Sequence, residues 1–304
     1  MNRRRFLKQS ALAATACALP ETRAAQPAFA LNYITASAMY GDLSLATVIE
    51  EVPKTGAKFL DIWPKKWATQ REQMDEIGHD KVAELLAKHG VKLAVSTRYN
   101  VGPFKLEDEM PILKKFGGSV LVVDSKGPAN LSGDELKKAV QEFVEKMKPH
   151  VAQAAEHGIT IAIENHVNSI IDSPDSLRWL VDFSQGLPLG VELAPYHLPQ
   201  DTALIADLIK HIGGKLKVFC AWEHGMGCMK PMPKDEELQQ MPGRGKLDFM
   251  PLLTALKNIR YEGFTEIFMH PTPRGIPILP TAADVTAEIV RARGYLEKCL
   301  SANK

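Results

Sequence analysis

Two hydrophobic patterns alternate along the chain. Short runs of consecutive apolar residues suit strands buried on both faces, as a parallel sheet requires. Eight such runs fall at residues 31–35, 58–63, 91–98, 119–124, 159–164, 189–194, 216–222 and 263–270, each followed by a stretch with helical spacing. Local signals mark the boundaries. Ser132-x-x-Glu135 and Thr281-x-x-Asp284 have the form of capping boxes. Ser173-Pro174 places a cap before a proline at the first helical position. His89-Gly90 and His157-Gly158 stop helices just ahead of buried strands. Eight strand–helix units predict an α/β fold, a closed (β/α)8 TIM barrel forming a single domain over residues 31–304; an open doubly wound sheet is the alternative. One connection, 225–247, is much longer than its counterparts and rich in Met, Pro, Gly and Lys, which predicts a lid.

Residues 1–30 read differently. Asn2-Arg3-Arg4-Arg5-Phe6-Leu7-Lys8 resembles a twin-arginine export motif, and the small apolar stretch 10–20 is too short to span a bilayer. A cleaved leader and an exported, periplasmic protein are therefore expected, with no stable membrane association after export. A leader of this kind suits a protein that takes up a metal or cofactor before export. Of the four cysteines, Cys17 leaves with the leader, and the remaining odd number argues against a disulfide framework. Cys220, inside an apolar run, reads as a small core residue. The chain has 37 basic and 36 acidic residues, so no electrostatic grip on nucleic acid is expected. No dinucleotide-binding fingerprint is present, which argues against nicotinamide redox chemistry.

In a barrel of this type chemistry sits at the carboxyl ends of the strands. Polar and ionisable residues gather there: Asp61 and Trp63, Arg98, Asp124 and Lys126, Glu164-Asn165-His166, Tyr196-His197, Glu223-His224, and His270 with Arg274. The fifth run is the sharpest. Ile159-Thr160-Ile161-Ala162-Ile163-Glu164-Asn165-His166 ends abruptly in acid, amide and imidazole, and alternation puts Ala162, Glu164 and His166 on one side. A carboxylate at a barrel mouth can bind a metal or move a proton. Glu164, His166 and His197 are thus the catalytic candidates; Arg98, Lys126, Arg274 and Trp222 are the candidates for holding substrate.

Three segments carry a resemblance. Ile163-Glu164-Asn165-His166, Leu193-Ala194-Pro195-Tyr196-His197-Leu198 and Tyr261-Glu262-Gly263-Phe264-Thr265-Glu266-Ile267 resemble, in this order, the sugar phosphate isomerase/epimerase group of xylose-isomerase-like barrels. The resemblance implies a divalent metal held by a Glu on strand five, an Asp on strand six, a His on strand seven and a Glu on strand eight. It also implies interconversion of ketoses, aldoses or epimers through proton transfer beside a carbonyl. Glu164 matches the first ligand, but Ala194 and Phe268 occupy two of the others. Glu192 and Glu266 each lie two residues earlier, about 6–7 Å deeper in the barrel. A histidine-rich set built on Glu164, His224 and His270 is the expected metal site, and imidazole–carboxylate ligation suits Mn, Zn, Fe or Co. The expected partner is a small carbohydrate, free or glycosidic rather than phosphorylated because of export. Elimination or hydration of a keto-sugar, and a catalytically silent sugar-binding barrel, are the alternatives.

Overall fold

The computed structural model describes residues 29–225 and 229–302. The twin-arginine motif and its apolar stretch lie outside the described residues, as do Cys17 and Cys228. The strands are β1 (Asn32–Ala36), β2 (Phe59–Ile62), β3 (Lys92–Thr97), β4 (Val120–Asp124), β5 (Thr160–Glu164), β6 (Leu189–Leu193), β7 (Leu216–Ala221) and β8 (Phe264–Ile267). They pair in sequence order, all parallel, and β1 closes on β8. Apolar runs make this possible. In β4, Val120 to Val123 are all buried, one face turned to the barrel interior and the other to the surrounding helices.

The helix boundaries follow the local chemistry. Ser173 caps the helix Pro174–Phe183 by accepting from the Ser176 amide, and Ser176 bonds back to complete the box. Ahead of the helix Ala282–Ala302 the Thr281 hydroxyl accepts from the Asp284 amide and donates to the Asp284 carboxylate, so only half of the box forms. Ser132 precedes the helix Gly133–Glu156 as expected, but its hydroxyl makes no capping bond. Gly90 and Gly158 both take left-handed backbone, with φ of 66° and 71°. Among the described residues no helix is long and apolar enough to cross a membrane.

Two irregularities position the site. The ladder register shifts between Leu60 and Asp61, and again between Val191 and Glu192. Such shifts re-aim side chains locally, and both occur at an acid that ends up inside the barrel. The loop 225–247 is not a free flap over its described part. It turns through Lys234–Glu237 and Leu238–Gln240, and Gln240 is buried, donating to the Glu237 and His270 carbonyls while its Oε1 accepts from Trp222 Nε1 at 2.9 Å. Further along, the buried Glu223 carboxylate accepts from the amides of Gly243 at 2.9 Å and Leu247 at 2.8 Å.

Candidate active site

Glu164 ends β5 at the centre of the barrel, 2% exposed. The Tyr99 hydroxyl donates to its Oε2, and its Oε1 lies 3.9 Å from His197 Nε2. Burial, supplemented by the charges of Asp124 and Asp61, pushes the Glu164 carboxyl up to about 8, against the opposing pull of the Tyr99 bond. A carboxyl poised there exchanges protons at neutral pH, as a general base must.

The histidines divide into three environments. His197 is buried, and neither ring nitrogen has a hydrogen-bond partner among the described residues. Burial, with His166 and Arg274 adding positive charge, holds it well below the ordinary histidine range. It is therefore a neutral imidazole at pH 7, with free capacity to donate and accept. His166 lies with its ring centroid 4.2 Å from that of His197, and its Nδ1 is engaged by the Val167 carbonyl. His270 packs edge-on against Trp63, Trp222 and Phe268, with Nδ1 unpartnered. His224 stands apart: its backbone is at φ 84° and its amide donates to Gln200.

The substrate-holding candidates are also sorted by the structure. Arg274 sends its field onto His166, His197 and His270, which places its charge at the mouth. Arg98 instead pairs with Glu109 at 3.0 Å, beside Arg71 on the same carboxylate. Lys126 folds onto Asp124 at 3.0 Å. Trp222 is buried, its ring stacked on Tyr196 with centroids 3.9 Å apart, and it serves as packing rather than as an open platform. Together Trp63, Tyr196, Trp222 and Phe268 form an aromatic layer across the barrel.

Inside the barrel lie groups that the sequence reading named but left out of the expected metal set. Asp61, Glu192, Cys220 and Glu266 all point inward, each no more than 2% exposed. Asp61 accepts from the Thr97 amide, the Thr97 hydroxyl and Trp63 Nε1, at 3.0, 2.7 and 2.6 Å. Even so, burial raises it to about 7, and it shares a hydrogen bond with Glu266. Glu192 and Glu266 are pushed well above the carboxylate range, by burial first and then by one another and their neighbours. None of these acids pairs with a lysine or arginine among the described residues. The signal was a spacing: Glu192, Cys220 and Glu266 each stand two residues before Ala194, Trp222 and Phe268.

A closed parallel barrel with ionisable groups gathered at and below its carboxyl-end mouth defines the enzyme-bearing (β/α)8 class. Residues 49–292 match the xylose isomerase-like TIM barrel family, and the chain belongs to that family. By sequence, no curated protein matches it. Among solved structures, the IolI protein with a bound zinc atom superposes with a TM-score of 0.69 at 15% identity, covering 88% of this chain and 99% of that one. An L-ribulose 3-epimerase gives 0.65 at 14%, covering 90% and 95%. D-Psicose 3-epimerase from Clostridium cellulolyticum H10, in a structure with D-tagatose, gives 0.64 at 18%, covering 89% and 99%. At these identities the likeness establishes the fold.

Whether the chain can hold the metal that such barrels use depends on its own residues. Ala194 and Phe268, at the positions expected to carry ligands, offer none, while Glu164 stands directly across from Glu192 in the ladder. Glu164, His224 and His270 are not gathered into a group either. A neighbouring group fits: donor atoms of Glu192, Cys220 and Glu266 all lie within 4.8 Å of one another.

Proposed function

We propose that this protein is an enzyme of the isomerase/epimerase type that moves a proton on the carbon beside the carbonyl of a small carbohydrate, with Glu164 as the base. The observation that carries this reading is the pairing of a buried carboxylate, poised by Tyr99, with a neutral imidazole 3.9 Å away whose two nitrogens have no hydrogen-bond partner among the described residues. Ionised Glu164 takes the proton from the C–H bond, and that electron pair moves into the carbonyl to form an enediolate. His197 donates a hydrogen bond to the oxygen as it gains charge, and the Arg274 charge at the mouth supports it. Return of the proton to the neighbouring carbon, with the hydroxyl proton passing between the two oxygens, gives an isomer; delivery of a proton from water or a second acid to the opposite face of the same carbon gives an epimer. His166, beside His197, orients that ring. A divalent ion held in the barrel would supply additional stabilisation of the developing negative charge.

An uncharged sugar fits better than a phosphorylated one, because Arg98 and Lys126 are already engaged by Glu109 and Asp124. The same preference goes with export, which the Arg3-Arg4-Arg5 leader supports. Elimination from a keto-sugar begins with the same proton abstraction and belongs to the same reading. The silent-binding alternative draws on Ala194 and Phe268. The test is turnover of a ketohexose panel (D-fructose, D-psicose, D-tagatose) by the protein and by Glu164→Gln. Loss of a general base lowers kcat by about 10²–10⁴ with sugar binding retained. Equal product formation by both proteins would sink the assignment of Glu164.

A further inference from the structure

We propose that Glu192, Cys220 and Glu266 form a buried, thiolate-containing site for a divalent transition metal inside the barrel, next to Glu164. The three lie on adjacent strands, β6, β7 and β8, with Cys220 directly across from Glu266 in the ladder. Their donor atoms converge within 4.8 Å, a spacing that one ion can bridge. The side chains are 2%, 1% and 2% exposed. Among the described residues Glu266 Oε1 is buried without a hydrogen-bond partner, and Glu192 is buried beside the charges of Glu164 and Asp61. Buried carboxylates without a basic partner or a hydrogen bond are costly unless they hold protons or coordinate a cation. Protons or a cation would each meet that cost, and the convergence of three donor atoms within 4.8 Å of one another favours the cation.

The donor set selects among cations. One thiolate with two carboxylates suits Zn²⁺ or Co²⁺ and disfavours Mg²⁺ and Ca²⁺, which take oxygen ligands alone. The site differs from the pattern expected of the fold in depth and in ligand type. Ala194 and Phe268 stand where ligands would be expected, and Glu192 and Glu266 occupy the preceding inward positions of the same two segments, with Cys220 between them on β7. An ion there sits beside Glu164, the ladder partner of Glu192. The inference stands on the strand geometry and does not need the sugar chemistry to be right.

The full chain, produced in cobalt-supplemented medium and passed through gel filtration, tests it without any substrate. The site requires about one retained Co²⁺ per chain and a near-ultraviolet thiolate-to-cobalt absorption band. Cys220→Ser is expected to lose that band while a remaining oxygen set binds the ion more weakly. X-ray absorption at the cobalt edge of the unsubstituted protein gives a reading that does not depend on the variant folding: one sulfur with oxygen neighbours supports the site. An all-oxygen or nitrogen shell, a band unchanged in Cys220→Ser, or no retained ion would overturn it. None of these readouts moves if Glu164 turns out not to be a base, so the two proposals fail separately.

Discussion

At the scale of single residues, the account rests on Glu164 and what surrounds it. Its folded pKa of about 8 stands above the ordinary 4.5, and a base acts only when ionised. We therefore expect kcat/KM to rise with pH along a limb approaching that value; a limb near the ordinary carboxylate range would contradict the burial argument. The Tyr99 hydrogen bond favours the ionised form, so Tyr99→Phe is expected to move the limb to higher pH, read from the same profile. Trp222→Ala removes a buried ring stacked on Tyr196 and is expected to cost about 3–5 kcal/mol in denaturant unfolding. The sequence displayed Glu164 openly, because an apolar run ending in an acid marks a strand end. It did not display Tyr99 as the partner of Glu164, since that contact spans 65 positions and depends on barrel closure. Cys220 read as a core residue for the same reason. A buried thiol looks alike in any apolar run until the neighbouring strands are placed in register.

Among the elements, the strands and most caps followed from local chemistry, and their ends agree with apolar-run boundaries to within a few residues. The convergence of the acids did not. Periodicity gives the face a residue takes but not its neighbours on other strands, and the register shifts at Asp61 and Glu192 are tertiary effects. The loop 225–247 was legible as exceptional by length. Its attachment was not, because the contacts holding it are made by Glu223 and Gln240 to distant backbone. That clamp makes a prediction. In Glu223→Gln, an amide N–H replaces an acceptor facing two backbone donors, and we expect a loss of about 1–3 kcal/mol with faster proteolysis within 229–247. Gly245→Ala should act alike, since a Cβ there would come within 2.3 Å of Glu223 Oε2. Unchanged cleavage rates in both variants would show that the clamp does not hold the loop.

For the molecule as a whole, the buried acids govern stability against pH. Asp61 at about 7 and Glu164 at about 8 hold protons more tightly in the folded chain than at their ordinary values of 3.8 and 4.5. The folded state thus binds more protons than the unfolded one, and stability falls as pH rises between about 4.5 and 8. For protein prepared without divalent ions, Tm should decrease across that interval; a rising Tm would mean that other groups dominate. The near balance of acidic and basic residues leaves little net field to add to this trend. The central claim, that the barrel mouth moves a proton beside a carbonyl, is met most directly by solvent exchange. The protein is incubated with each ketohexose in deuterium oxide and the sugar is followed by NMR. The account predicts deuterium at the carbon next to the carbonyl of at least one sugar, at a rate abolished by Glu164→Gln. No exchange into any sugar of the panel, or exchange that persists in Glu164→Gln, would contradict it.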